Sequence, residues 1–408
     1  MSTLARTGLP RHAVQAKALS LVAGAALMLG VFLQGFVINE PAPYELFMSG
    51  LIAVWGVSAL RISRLVALLL ALLVLFNLGG LLSMLQMGDL YETPLYLAVS
   101  LFLAFTAVFF AAILEADSER YALIFNALTA AALVTGMLGI AGYFGLFPGA
   151  EMFTRFDRAM GAFGDPNVFG PFLTLPAIFM LHRLLTANSV RVPLYAGAFI
   201  ILTAAIFLSF SRGAWGLFGL SAIALTLCLY LQSASNLLRL RLTILSMLAI
   251  VLLSGAILVA LQMPGVSDFF SQRARLVQDY DGGHLGRFAR YAVGLQLATE
   301  HPLGIGPLNF GRLYGEDTHN IWLKALMDYG WLGFAAFTLI VGATLAGGLR
   351  ILFRDRPWQP YLLCAYIVFA GHIALGTVID MDHWRHFYLL IGLVWGAMAL
   401  EIKQQRRL

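Results

Sequence analysis

The sequence predicts an all-α fold: a polytopic helical membrane protein of about twelve transmembrane helices, interrupted by one long, partly helical loop. Three observations predict it. Of 408 residues, 60% are apolar and only 12% charged, against roughly 25% charged in soluble domains. Uncharged runs such as Leu65 to Gly88 exceed the roughly 20 apolar residues that cross a bilayer. These runs do not alternate apolar with polar residues, as the strands of a membrane β-barrel would.

The first apolar run, about 18–38, follows Arg6, Arg11 and Lys17. It is too long for the apolar part of a signal peptide and is read as a retained signal anchor. Further spans are expected near 44–60, 64–86, 93–114, 121–146, 167–185, 192–209, 213–232, 242–262, 319–348, 360–378 and 384–400. Cys228 and Cys364 both fall inside spans and are read as small core residues, with no disulfide or metal framework. The net charge of +5 records membrane orientation and does not imply a nucleic-acid partner.

Orientation follows from the basic residues. Arg61, Arg64, Arg120, Arg183, Arg191, Arg239, Arg241, Arg350, Arg354 and Arg356 occupy alternate connections, and both tails are basic. The positive-inside rule makes that face cytoplasmic and puts both termini there. One integral membrane unit results, with spans 1–9 in residues 1–262, a long periplasmic loop at 263–318 and spans 10–12 in 319–408. Against this bias, Arg155, Arg158, Arg212, Arg273, Arg275, Arg287, Arg290, Arg312 and Arg385 lie on the outer side. Charges translocated in this way are functional candidates.

In the long outer loop, Arg287, Arg290 and Tyr291 are spaced i, i+3, i+4 and share one helix face. Leu285, Phe288, Ala292 and Leu295 form a neighbouring apolar face expected to pack on the bundle. "GIGPLNFG" at 304–311 lacks a preceding strand and a P-loop lysine, so it reads as a turn. Arg212 stands between Ser211 and Gly213 in the tightest outer turn, where small neighbours admit a ligand; the plainer reading is an arginine snorkelling to headgroups. Asp165-Pro166 starts a helix. Lys324 and Asp328, four apart, read as an intrahelical ion pair.

"GEDTHNIWLKALMDYG", from Gly315 to Gly330, sets polar residues at the mouth of an apolar helix. Asp317, Thr318 or Asn320 suits a helix cap, while His319 suits a base held at the membrane surface. "DMDHWRHF" offers Asp380, Asp382, His383 and His386, read as interfacial anchors in preference to a metal set. Topology puts Arg158, Arg212, Arg287 and His319 on one face. Guanidinium forks suit phosphate oxygens, and a neutral imidazole suits deprotonation of a hydroxyl.

The stretches "RAMGAFGDPNVFGPF", "SFSRGAWG", "GRFARYAVGLQLATEHPLGIGPLNF" and "THNIWLKALMDYGWLG", over roughly residues 155–335, resemble the O-antigen ligase and O-antigen polymerase superfamily of membrane glycosyltransferases. The resemblance implies a bacterial inner-membrane enzyme with its active site facing the periplasm under a loop lid. The implied donor is an undecaprenyl-pyrophosphate-linked glycan. The implied acceptor is a sugar hydroxyl, of lipid A-core for a ligase or of another lipid-linked repeat for a polymerase. No cofactor and no metal are implied. Arg158, Arg212, Arg287 and His319 fall on the matching motif positions; His319, Arg212 and Arg287 are the catalytic candidates, and Arg158, Arg290, Tyr291 and Asn320 the substrate-binding ones. Arg290 is an extra arginine on that face, and Tyr291 stands where an aromatic, often tryptophan, is usual. A transporter or flippase of lipid-linked sugars is the reading from a different class, and it predicts ionisable groups near the midplane.

Overall fold

The computed structural model describes residues 11–58, 61–187, 190–260, 262 and 286–406. Twelve helices occupy the positions of the expected spans: α1 (Arg11–Leu33), α2 (Pro43–Val57), α3 (Arg64–Met84), α4 (Thr93–Ala116), α5 (Arg120–Tyr143), α6 (Pro166–Thr186), α7 (Val192–Leu208), α8 (Arg212–Gln232), α9 (Asn236–Ala260), α12 (Ile321–Ile351), α13 (Gln359–Leu375) and α14 (Arg385–Gln405). Two more, α10 (Arg287–Glu300) and α11 (Asn309–Tyr314), belong to the long outer loop. Seven of the described helices are long and apolar enough to cross a membrane, and four apolar ones are shorter. The described strands are the two-residue β1 (Thr154–Arg155) and β2 (Arg158–Ala159), which form a hairpin before α6.

Local chemistry sets the helix starts. Ser63, Asp165 and Ser211 each accept a backbone N–H of the first turn of α3, α6 and α8, which satisfies a group the helix leaves unpaired. Between helices, apolar burial gives little drive inside lipid, so close packing of small residues holds the bundle. Gly79 of α3 lies against the Tyr329 carbonyl and Gly333 of α12, and Gly392 of α14 against the Ala107 carbonyl of α4.

The basic connections share one end of the bundle. There Lys403 donates to the Glu115 carbonyl at 3.0 Å, Arg183 to Tyr361 Oη at 3.2 Å, and Arg354 and Arg356 grip Glu401. The other end gathers the long outer loop, the hairpin and the α13–α14 connection.

Helix α12 is broken at Gly330, where φ is 62° and ψ −174°. Pro302 to Gly306 of the outer loop fills the break: Trp331 N–H donates to the Pro302 carbonyl at 2.9 Å, and Ile305 N–H to the Met327 carbonyl at 2.8 Å. Backbone freed within an apolar bundle must find such partners. The "GIG" turn is therefore a plug, with Gly304 and Gly306 both at positive φ.

The packing of α10 corrects one expectation. Phe288 and Leu295 are exposed, and the buried stripe is Arg290, Gly294 and Ala298; Leu285 lies outside the described residues. Gly294 and Ala298 let α10 approach α12 closely, with Gly294 near Met327 and the Thr318 methyl, and Trp331 Nε1 donating to the Ala298 carbonyl at 2.8 Å. Gly294 and Ala298, with Arg290 and the half-buried Val293 and Leu297 beside them, face the bundle in place of Phe288 and Leu295.

Candidate active site

The candidate site forms at the end opposite the basic connections, where the starts of α8, α10 and α12 meet the α13–α14 connection. Asn320 caps α12: its Oδ1 accepts from Trp322 N–H at 3.0 Å and Leu323 N–H at 3.2 Å, while its amide donates to the Thr377 carbonyl at 3.1 Å. Of the three candidates for the cap, Asn320 takes the role. His319 just before it lies in the left-handed region, with φ of 51°. A residue with a Cβ is seldom found there, and such a conformation persists only where surrounding structure over-determines it.

The surrounding structure does so. Tyr291 Oη donates to the His319 carbonyl at 3.4 Å and the Thr377 carbonyl at 3.1 Å, so one hydroxyl ties α10 to both loops. Ile321 N–H donates to the Gly376 carbonyl at 2.8 Å. Thr318 is buried against α10. The imidazole itself stays 41% exposed, with Nδ1 3.4 Å from Oδ2 of Asp380. An imidazole oriented through Nδ1 leaves Nε2 open as an acceptor.

The arginines divide by environment. Arg212 is the first residue of α8 and is half-buried. Its neighbour Gly213 packs on Leu375 at the end of α13, which sets the start of α8 beside the connection carrying Asp380. Arg287 opens α10, one helical turn before Tyr291; its side chain lies outside the described residues. Arg158 is buried, donating from Nε to the Ser209 carbonyl at 2.7 Å and from Nη2 to Asn167 Oδ1 at 2.8 Å. It braces the turn that leads to Arg212. Arg290 is buried too, with Nη1 2.5 Å from Glu316 Oε2 and 3.2 Å from the Asp317 carbonyl. Both guanidinium groups hold protein loops in place.

The residue that sequence reasoning missed is Asp380. "DMDHWRHF" was conspicuous, but its members part company in the fold. Asp380 faces His319, while Asp382 accepts from Tyr96 Oη at 2.6 Å. Arg385 pairs with Glu40 and Glu45, and His386 is buried beside His372 with ring centroids 5.2 Å apart. Burial would raise the Asp382 carboxyl, but Lys324, His383 and Tyr96 outweigh it and hold it well below the usual carboxylate range. Among the described residues, no three His, Cys, Asp or Glu side chains gather as a metal ion would need.

This end of the bundle brings the starts of α8 and α10 to the His319–Asp380 pair. The stretch of residues 197–338 matches the family described as O-antigen ligase. That stretch resembles an O-antigen ligase domain. It runs from α7 into α12 and contains Arg212, Arg287, Arg290, Tyr291, His319 and Asn320. No curated protein matches the chain. The match supports an O-antigen ligase-like glycosyltransferase, on a chain with seven described helices long and apolar enough to cross a membrane. Arg158 and Asp380 lie outside the matched stretch, on either side of it in sequence, and the fold brings both to its edge.

Proposed function

We propose that this ligase-family protein transfers a glycan from undecaprenyl-pyrophosphate to a sugar hydroxyl of lipid A-core, at the periplasmic face of the inner membrane. The observation that carries the reading is the His319–Asp380 pair, held on strained backbone where the helices bearing Arg212 and Arg287 begin. Strained backbone of this kind clusters at active sites.

The acceptor hydroxyl attacks C1 of the donor sugar while His319 Nε2 takes its proton. The C1–O bond to the pyrophosphate breaks, and its electron pair leaves with the lipid pyrophosphate. Arg212 and Arg287 hold the leaving group and stabilise its growing charge. Asp380 orients the imidazole and balances the positive charge the ring acquires, the part a carboxylate plays beside a catalytic histidine. Arg158 and Arg290 act one step back: Arg158 steadies the turn before Arg212, and Arg290 the loop before His319. With the arginines supplying charge stabilisation, a divalent metal has no part in this scheme.

A transporter would use a broken helix to line a passage for cargo. The break at Gly330 is instead filled by the protein's own Pro302–Gly306 backbone, which favours the enzyme. The test is reconstitution with a labelled undecaprenyl-pyrophosphate glycan, offering lipid A-core and free lipid-linked repeat units separately, with and without chelator. Labelled lipid A-core in both conditions is the expected result. Elongated repeats alone would make the protein a polymerase, and loss on chelation reversed by added metal would overturn the metal-free scheme.

A further inference from the structure

Close to the His319–Asp380 pair lies a polar cluster with no part in the transfer chemistry. Its centre is Lys324 of α12, 3% exposed. Lys324 Nζ stands 2.8 Å from Asp328 Oδ2 and 3.4 Å from Asp317 Oδ2. The same ammonium lies 5.5 Å from the ring centroid of Tyr96 on α4, within reach of a cation–π attraction. Tyr96 Oη donates to Asp382 Oδ2 at 2.6 Å, and His383 stacks on the Tyr96 ring with centroids 3.6 Å apart. His383 Nε2 also meets the Tyr96 carbonyl at 2.9 Å.

The two ends of this chain of contacts matter. Asp317 is two residues before His319, and Asp382 is two residues after Asp380. The loops that carry the base and its carboxylate partner are therefore both tied to one buried cation, one directly and one through Tyr96. We propose that Lys324, acting with Tyr96 and Asp382, is the positioning centre that sets the geometry of the His319–Asp380 pair. The proposal rests on the reading of His319 as the base.

Two physical arguments support it. Burying an ammonium and its carboxylates is costly, and apolar side chains of similar volume hold a bundle together as well or better. What the buried cation adds is a fixed spacing between two acidic loops from separate connections. Misplacing a reacting group by about 1 Å costs on the order of 10² in rate, and His319 sits in a backbone conformation that relaxes once its surroundings loosen.

The test is a paired substitution, Lys324→Met with Asp328→Asn, in the full-length reconstituted enzyme. It removes the Lys324–Asp328 pair of α12 as a unit, and Asp382 keeps its partners Tyr96 and His383. Made in the wild-type background, it should lower kcat by about 10-fold to 10²-fold and leave donor KM and thermal stability unchanged. Made in a His319→Gln background, it should lower the residual single-turnover transfer no further, because Lys324 acts through that ring. Wild-type kcat in the paired variant, or an equal fractional loss in both backgrounds, overturns the proposal. Should the paired variant fail to fold, Tyr96→Phe carries the same comparison by removing the hydroxyl that holds Asp382. It should slow transfer several-fold in the wild-type background and not at all beside His319→Gln. Full activity of His319→Gln alone would instead overturn the assignment of the base, a result distinct from an active paired variant beside an inactive His319→Gln.

Discussion

His319 Nδ1 and Asp380 Oδ2 meet at 3.4 Å across two connections that lie on either side of α12 and α13. Neither loop positions its residue alone. Tyr291 bonds to the backbone of both, and the Asn320 side chain spans them through Thr377. His319, Asp380 and α10 form one unit.

His319→Gln should leave the protein folded, since Asn320 retains the cap of α12. Transfer should fall by roughly 10²–10⁴, the worth of a positioned acid–base group, with donor binding intact. Single-turnover transfer alongside a donor-binding assay checks this. Full activity in a well-folded variant would move the base elsewhere, with Asp317 first in line.

Asp380→Asn keeps the size of the side chain and removes its charge. An amide in that place no longer holds the ring in the useful tautomer or balances the imidazolium. Transfer should drop by about 10² or more while donor KM stays constant. Unchanged turnover would make the 3.4 Å approach incidental.

Arg212→Lys and Arg287→Lys keep charge but lose the planar fork that spans two phosphate oxygens. Each should slow transfer by roughly 10²–10³. Wild-type rates in both lysine variants would reduce these arginines to anchors of the fold.

Gly330→Ala tests the plugged helix. A Cβ there would come within 2.6 Å of the Leu303 carbonyl, and the backbone is at φ 62°. Strain of that kind costs on the order of 1–3 kcal/mol before any steric clash is added. The melting temperature in detergent should fall measurably, and an unchanged value would mean that the plug yields freely.

Orientation is tested by a cysteine in place of Gly282. It should react with an impermeant thiol reagent added to the periplasm of intact inner membrane. Labelling only after that membrane is broken would invert the topology and move the site to the cytoplasm.

Sequence alone carried the helical membrane class, the placement of twelve helices and the pattern of basic connections, because each rests on properties that neighbouring residues set together. Run length decides whether a helix spans, charge bias decides which ends sit together, and short polar residues mark helix starts, as Asp165 and Asn320 do. It also singles out Arg212, Arg287 and His319 as candidates, whose residue types are unusual where they stand. Only the tertiary structure separated Asp380 from Asp382, since two acids two residues apart have the same local signal but entirely different partners. It likewise showed that Arg158 and Arg290 are occupied by Ser209, Asn167, Glu316 and Asp317. It turned α10 so that Gly294 and Ala298, rather than Phe288 and Leu295, meet the bundle. The reason is common to all three: each depends on contacts between segments far apart in the chain, where close approach of backbone and satisfaction of buried charge decide the outcome, and no periodicity in one segment records what the other brings.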